Sequence, residues 1–334
     1  MTGPVSEAEL EEQLSRPAEA DVAHAAGLEG DLLVLGAGGK MGPSLVRLAK
    51  RAAIAAGRNT RVVAVSRSGV DAEGVETIAC DLLEPGSLAR LPQAKNMIFM
   101  AARKFGTCGS EHLTWAMNTY LPGMVAERYR DSRIVAFSSG NVYGVTPVAS
   151  GGSTEASTVA PVGEYAQSVL GRERIFEYGS HRWGTQVALL RLNYAVELRY
   201  GVLVDIARAV FGKSPVDLRM GYVNCIWQRD ANAMALRSLS LCSHPPAILN
   251  LTGPETLSTR WIAEEFGRRF GIEPLFRGEE NPDALLNNAA RSHELFGLPT
   301  VTPGDMIDWI AAWVSRGNTH FNKPTHFDVQ DGKF

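Results

Sequence analysis

Leu32-Leu33-Val34-Leu35-Gly36-Ala37-Gly38-Gly39-Lys40-Met41-Gly42 is the stretch whose reading decides the fold. Four consecutive apolar residues are too few for a helix and suit a buried strand. A glycine cluster follows, and Pro43-Ser44-Leu45-Val46-Arg47-Leu48-Ala49 then resumes with helical spacing. The order is strand, tight turn, helix. Glycines at 36, 39 and 42 let the backbone turn sharply, approach a diphosphate without an intervening side chain, and seat the helix on the strand. The helix start offers unpaired N–H groups and a partial positive charge. In this context the stretch predicts a dinucleotide site built from Gly36, Gly38, Gly39, Lys40, Met41 and Gly42. A plain glycine turn in another α/β fold is the competing reading.

Working outward, residues 61–66, 75–80, 96–100, 133–137, 184–192 and 247–251 read as further strands, separated by helical stretches. Such alternation predicts an α/β protein with a Rossmann-type doubly wound parallel sheet and a smaller C-terminal α/β substrate domain. The expected division is a helical extension over 1–29, a dinucleotide-binding domain over 30–192 with 229–251 contributing, a substrate domain from 193–228 and 252–316, and a polar tail over 317–334. Ser6 and Glu9 form a capping-box pattern for a short helix over 6–14, placed to cover a sheet edge or a partner subunit. Pro122 should kink or break a helix over 111–128. Residues 215–224 could hold a hairpin or strand pair, Ser258 should cap a helix over 259–270, and Ile307, Ile310, Ala311 and Val314 form a core stripe in the last helix, over 303–315.

At 334 residues, with 45% hydrophobic and 21% charged residues, the chain can bury one large core or two joined ones. A net charge of -3 without a basic block argues against nucleic acid. No run reaches the roughly 18 apolar residues of a membrane span. Glu7, Glu9, Glu11 and Glu12 near the start are unlike a secretory signal, so a cytoplasmic location is expected. Cys80, Cys108, Cys225 and Cys242 are scattered and read as free, buried thiols; His320 and His326 read as part of a solvated loop, and no metal site is expected.

The end of the second strand is where such folds read the adenosine ribose. Ser66-Arg67 stands there with no carboxylate until Asp71, which favours NADP over NAD unless Arg67 is merely solvated. Asp81 could accept a hydrogen bond from the adenine amino group or cap the helix that begins at Leu82. Small Ala101 and Ala102 would let the chain pass close beneath a nicotinamide.

Gly36, Gly39 and Gly42, Asp81-Leu82, Ala101-Ala102, Asn118, Phe137-Ser138-Ser139, Val142-Tyr143-Gly144, and Tyr165 with Ser168 and Glu173 together resemble the extended short-chain dehydrogenase/reductase family, which comprises NAD-dependent epimerases and dehydratases acting largely on nucleotide sugars. The resemblance spans roughly residues 30–315. It implies that Ser139 contacts the reacting hydroxyl or carbonyl and that Tyr165 is the general acid/base. It also implies a homodimer through paired helices of the larger domain, and a diphosphate contact near Arg229. One position departs: the family's lysine, four residues after the tyrosine, is Val169 here. A cation about 6 Å away at an effective dielectric near 20 is worth about 2.8 kcal/mol, or roughly two pKa units, to a phenolate. Arg172, Lys104 or the positive charge of an oxidised nicotinamide could substitute, or the tyrosine could act as a neutral acid toward a ketone.

After the sixth strand come Asn193, assigned to the cofactor, and Tyr194, Glu197, Arg199 and Tyr200, which with Lys104, Asn141 and Arg229 are the substrate candidates. The expected activity is NAD(P)-dependent hydride transfer at a hydroxyl or keto carbon of a sugar, nucleotide sugar or sugar acid, with epimerisation ahead of keto reduction. A dinucleotide-binding sensor without catalysis is the alternative from another class.

Overall fold

A computed structural model describes residues 3–329 and 331–332. Its centre is a seven-stranded sheet of β1 (Leu32–Leu35), β2 (Val62–Ser66), β3 (Glu76–Ala79), β4 (Asn96–Phe99), β5 (Arg133–Ser139), β6 (Gln186–Leu192) and β7 (Ala247–Leu251). The spatial order is β7-β6-β5-β4-β1-β2-β3. Every pairing is parallel, with Leu32 opposite both Val62 and Asn96. The predicted Rossmann-type sheet is therefore the one observed, and the strand order reverses between β1 and β4, where such sheets open a crevice at their carboxyl ends.

Parallel strands covered on both faces should be apolar throughout while splitting their side chains between two cores. Leu32 and Val34 enter one core with Val62, Ala64, Ile98, Val135 and Ala188. Leu33 and Leu35 enter the other with Val63, Val65, Met97, Phe99, Ile134 and Val187. The covering helices are α1 (Glu7–Ser15), α2 (Glu19–Gly27), α3 (Gly42–Ala55), α4 (Leu121–Arg128), α5 (Gly163–Trp183), α6 (Val202–Phe211), α7 (Gln228–Arg237), α8 (Thr259–Phe270) and α9 (Pro303–Ser315). Leu45, Val46 and Ala49 of α3 and Met234 of α7 pack in the first core; Val125 of α4 and Phe176 of α5 pack in the second. A third core joins α6, α8 and α9 in the C-terminal half.

Several local expectations change. Ser6 Oγ does accept the Glu9 N–H, but the Glu9 carboxylate bonds the Val5 N–H instead of closing a box on Ser6. The helix so capped packs within its own chain: Glu11 pairs with Arg47 and Glu12 with Arg51 of α3, while Leu10 and Leu14 enter the C-terminal core. Val216–Asp217 and Tyr222–Val223 do not pair with each other. The first pairs in parallel with Phe276–Arg277, the second antiparallel with Leu257–Ser258. Asp217 explains this by accepting from the Arg219 N–H and both Arg219 and Arg277 guanidinium groups, which turns the chain before a hairpin can close. Of the four thiols only Cys225 is buried, and Cys108 is exposed. Among the described residues no helix is long and apolar enough to cross a membrane.

Candidate active site

The first wall of the site is the turn after β1. Gly36 has φ +86, and a Cβ there would collide with the Ala101 backbone at the end of β4; one on Gly42 would collide with the Ala37 carbonyl. These two glycines hold strand, turn and helix together, whereas Gly38 and Gly39 are exposed. The Met41 carbonyl and Ser44 are fastened to α7 by Asn232, and Gln228 bonds Ser44. At the end of β2, Ser66 is buried with its hydroxyl unpartnered, beside Gly38. Arg67 is exposed there. Asp81 accepts the Leu83 N–H at 3.0 Å in a turn and remains exposed; no helix begins at Leu82, the next one starting at Ser87, so the expected helix cap is a turn cap instead. Leu82 and Ala101 are buried, and Ala102 is exposed. Bare glycine backbone together with an orphaned hydroxyl fits a dinucleotide lying across the carboxyl ends of β1 and β2.

The second wall is the end of β5 against α5. Adjacent serines point opposite ways. Ser138 turns inward to Glu173, which also holds Arg191 through two hydrogen bonds of 2.9 and 2.7 Å. Ser139 donates to Asn141 Oδ1 at 2.9 Å, accepts the Asn141 N–H, and is hydrogen-bonded to the Tyr165 hydroxyl. Burial pushes the Tyr165 phenol above its ordinary range, while Arg172 and the Ser139 bond oppose the rise. Val169 is 1% exposed in an apolar cluster with Val142, Tyr143 and Tyr165.

Behind Tyr165 lies a distorted helix. Residues Ala116–Tyr120 form a π turn between Glu111–Trp115 and α4. Pro122, second in α4, has no N–H to give the Asn118 carbonyl, and that oxygen accepts Arg172 Nε at 3.3 Å instead. Arg172 also donates to Asn118 Oδ1 at 3.0 Å and to the Phe137 carbonyl at 2.7 Å. The kink anticipated at Pro122 is thus a π turn whose freed carbonyl holds an arginine.

The third wall joins the loops after β1 and β4 to the C-terminal half. Lys104 Nζ lies 5.8 Å from the Tyr165 ring centroid and 5.4 Å from that of Phe105; Lys40 Nζ lies 6.0 Å from Phe105 and over the face of Tyr200. Burial lowers Lys40 to about 6, with Lys104 adding to the fall, and lowers Lys104 to about 8. Asp205 on α6 opposes both changes. Tyr194, held at φ +39, and Tyr200 are both raised by burial. The tail crosses this wall: Asp205 Oδ2 accepts the Thr325 N–H at 2.7 Å and its hydroxyl at 2.6 Å, Lys104 donates to the Thr325 carbonyl at 3.4 Å, and His326 lies against Phe105. His326 is therefore part of this wall rather than of a solvated loop. Asp205 and Thr325 were not anticipated. An acid in the first turn of a helix reads as a favourable dipole contact, and nothing marks a threonine in a polar tail.

Four sequence candidates have other occupations. Asn193 donates to Asn224 Oδ1 at 2.7 Å and to the Leu285 carbonyl in the interior, which commits its amide away from the glycine turn. Arg229 is neutralised by Asp21 and Asp230 and bonds the Arg16 carbonyl, tying α7 to the N-terminal helices. Arg199 pairs with Glu197 and Glu11. Each of these charges is already satisfied by an internal partner, so none is presented to a diphosphate.

Residues 32–196 match the model of the NAD dependent epimerase/dehydratase family. That part of the chain belongs to this family. The resemblance to extended short-chain dehydrogenases/reductases is borne out. No curated protein matches the chain. Among solved structures, MoeE5 in complex with UDP-glucose and NAD is similar at 19% identity and TM-score 0.72, covering 86% of this chain and 99% of that one. UDP-glucuronic acid 4-epimerase from Bacillus cereus in complex with NAD gives 15% identity and 0.71, over 86% and 98%. UDP-glucose 4-epimerase of Thermus thermophilus, also with NAD, gives 18% and 0.70, over 86% and 99%. Identities this low establish a shared fold.

Proposed function

We propose that this epimerase/dehydratase-family chain is an enzyme that binds NAD(P) and transfers hydride reversibly at a hydroxyl or keto carbon of a sugar-derived substrate, with epimerisation the leading outcome. The observation carrying this reading is the Tyr165–Ser139 hydrogen bond at the end of β5, facing the crevice that the glycine turn borders. The nicotinamide, when bound, supplies the hydride acceptor and donor. Ser139 holds the reacting oxygen and Tyr165 moves its proton. The solved relatives bind UDP-sugars, UDP-glucuronic acid among them, which supports a nucleotide sugar here. Lys104, 5.4 Å from the Phe105 ring centroid and lowered by burial only to about 8, further favours a substrate bearing an acid group.

Exposed Arg67, with no carboxylate before Asp71, supports NADP, although the solved relatives carry NAD. Arg67→Ala should weaken NADP binding about tenfold or more and leave NAD binding nearly unchanged, as read by titration calorimetry; equal losses would return the preference to NAD. A homodimer is supported by Leu113, Trp115, Tyr120 and Tyr178, exposed apolar residues on adjoining helices. The deciding assay incubates the chain with each cofactor and a panel of UDP-sugars and free sugar acids. Epimerisation gives an inverted product with no net reduced nicotinamide, while net absorbance change indicates a reductase. Turnover unchanged in Tyr165→Phe would overturn the proposal.

A further inference from the structure

We propose that Arg172 is the positioning residue that supplies, from inside the protein, the positive charge against which Tyr165 ionises. This rests on Tyr165 being the proton-transferring group. Position 169, one helical turn from Tyr165, is a sealed valine and can supply no charge, and Lys104, 5.8 Å from the Tyr165 ring centroid, is lowered by burial to about 8 and so loses its own charge as the phenol begins to ionise. Position 172 lies two turns on and on the same face, and helical side chains lean toward the N-terminus, so a long one at 172 reaches back toward 165. Its anchor gives the same direction: Arg172 binds the carbonyl of Phe137, and Tyr165 binds Ser139, two residues further along the same strand and about 7 Å away.

The state of the guanidinium is as informative as its place. Arg172 is 2% exposed, yet its three hydrogen bonds go to uncharged oxygens, the Phe137 carbonyl and the backbone and side-chain oxygens of Asn118. Among the described residues it forms no ion pair. Neighbouring Glu173 is committed to Arg191 and Ser138. A buried charge without a counter-ion is costly and is retained where something uses it. Tyr165 becomes its counter-ion when the phenol gives up its proton, and Arg172 accordingly opposes the upward push of burial on that phenol. The bonds to Asn118 and Phe137 fix the guanidinium so that it need not move when the charge forms. Taking the proton from a substrate hydroxyl then restores the neutral phenol, and returning it restores the pair.

The test places 3,5-difluorotyrosine at position 165, which lowers the titration into the range where the protein is folded, and follows its ionisation by fluorine NMR. Arg172→Met should raise the midpoint by about 1 to 2 pH units. Arg172→Gln, able to donate to the Phe137 carbonyl, takes the place of Met where that variant does not fold, and should give the same rise. An unchanged midpoint in the folded neutral variant would overturn the proposal. Turnover of Tyr165→Phe with natural residues elsewhere is measured alongside. If it equals the parent's, the assignment of Tyr165 falls, and the titration still reports whether Arg172 faces it.

Discussion

Tyr165 must be both sheltered and ionisable, and at the scale of the residue these demands conflict. Burial pushes its phenol up, and Arg172 and the Ser139 bond pull it down. Tyr165→Phe, which keeps the ring and its packing, should lose about 10²–10⁴ in turnover with little change in melting temperature. Lys104 gives the site a pH signature of a different kind. A lysine is charged below its pKa, and this one is lowered by burial to about 8. Affinity for an acidic substrate should hold below pH 8 and weaken as pH rises through it. Lys40, lowered to about 6, is already largely neutral there and should not contribute to that loss. Measuring KM from pH 6 to 9 checks this: Lys104→Met should bind weakly and flatten the profile, and a profile unchanged in that variant would remove Lys104 from substrate binding.

At the scale of the elements, the site depends on how β5, β6 and α5 are locked together. Glu173 of α5 pairs with Arg191 of β6, and Arg191 also donates to the Tyr143 hydroxyl, which donates to Asn250 of β7. Glu173 and Arg191 are 1% and 3% exposed, so removing one partner strands the other. Arg191→Met should cost about 3–5 kcal/mol, and adding Glu173→Leu should recover much of it, because the loss comes from the isolated carboxylate. Thermal denaturation of the two variants decides the point. Most of these elements were legible in the sequence. The Ser258 cap and the bounds Thr259–Phe270 and Pro303–Ser315 appear as read, because capping and apolar spacing are local signals. The π turn was not, since Pro122 announces a distortion without saying which carbonyl it frees or what will bind it. Arg172 was legible only as one of several options, because a long cation on a helix is usually solvated and its burial depends on a carbonyl from another helix.

The whole molecule adds contacts that no local pattern encodes. The glycine turn and the individual strands could be read from the chain because each is short-range, and Ser139 and Tyr165 because they match motifs of the family the chain resembles. The roles of the two ends could not, because they arise between residues hundreds of positions apart. Arg229, expected at a diphosphate, is held by Asp21, and Arg199 by Glu11, so the N-terminal helices rivet the sheet to the C-terminal half. The tail adds to the same tie. Thr319 bonds Glu7, the Phe321 N–H bonds the Arg199 carbonyl, and Thr325 clamps Asp205 beside Lys104. Apart from Phe327, which enters the C-terminal core, the segment is kept in place mainly by such polar bonds, so its attachment is weaker than that of the cores beneath it. Thr325→Val removes the hydroxyl donor, keeps the shape and leaves the backbone N–H bond. The Asp205 carboxylate, which burial already pushes up, then loses one of the two Thr325 bonds that hold it down. The expected outcome is faster cleavage of the tail under limited proteolysis, at an unchanged melting temperature for the cores. Since Lys104 takes its carbonyl contact from the same residue, KM should change together with the cleavage rate. Tail cleavage at the parent rate would mean that the backbone bond alone secures the segment.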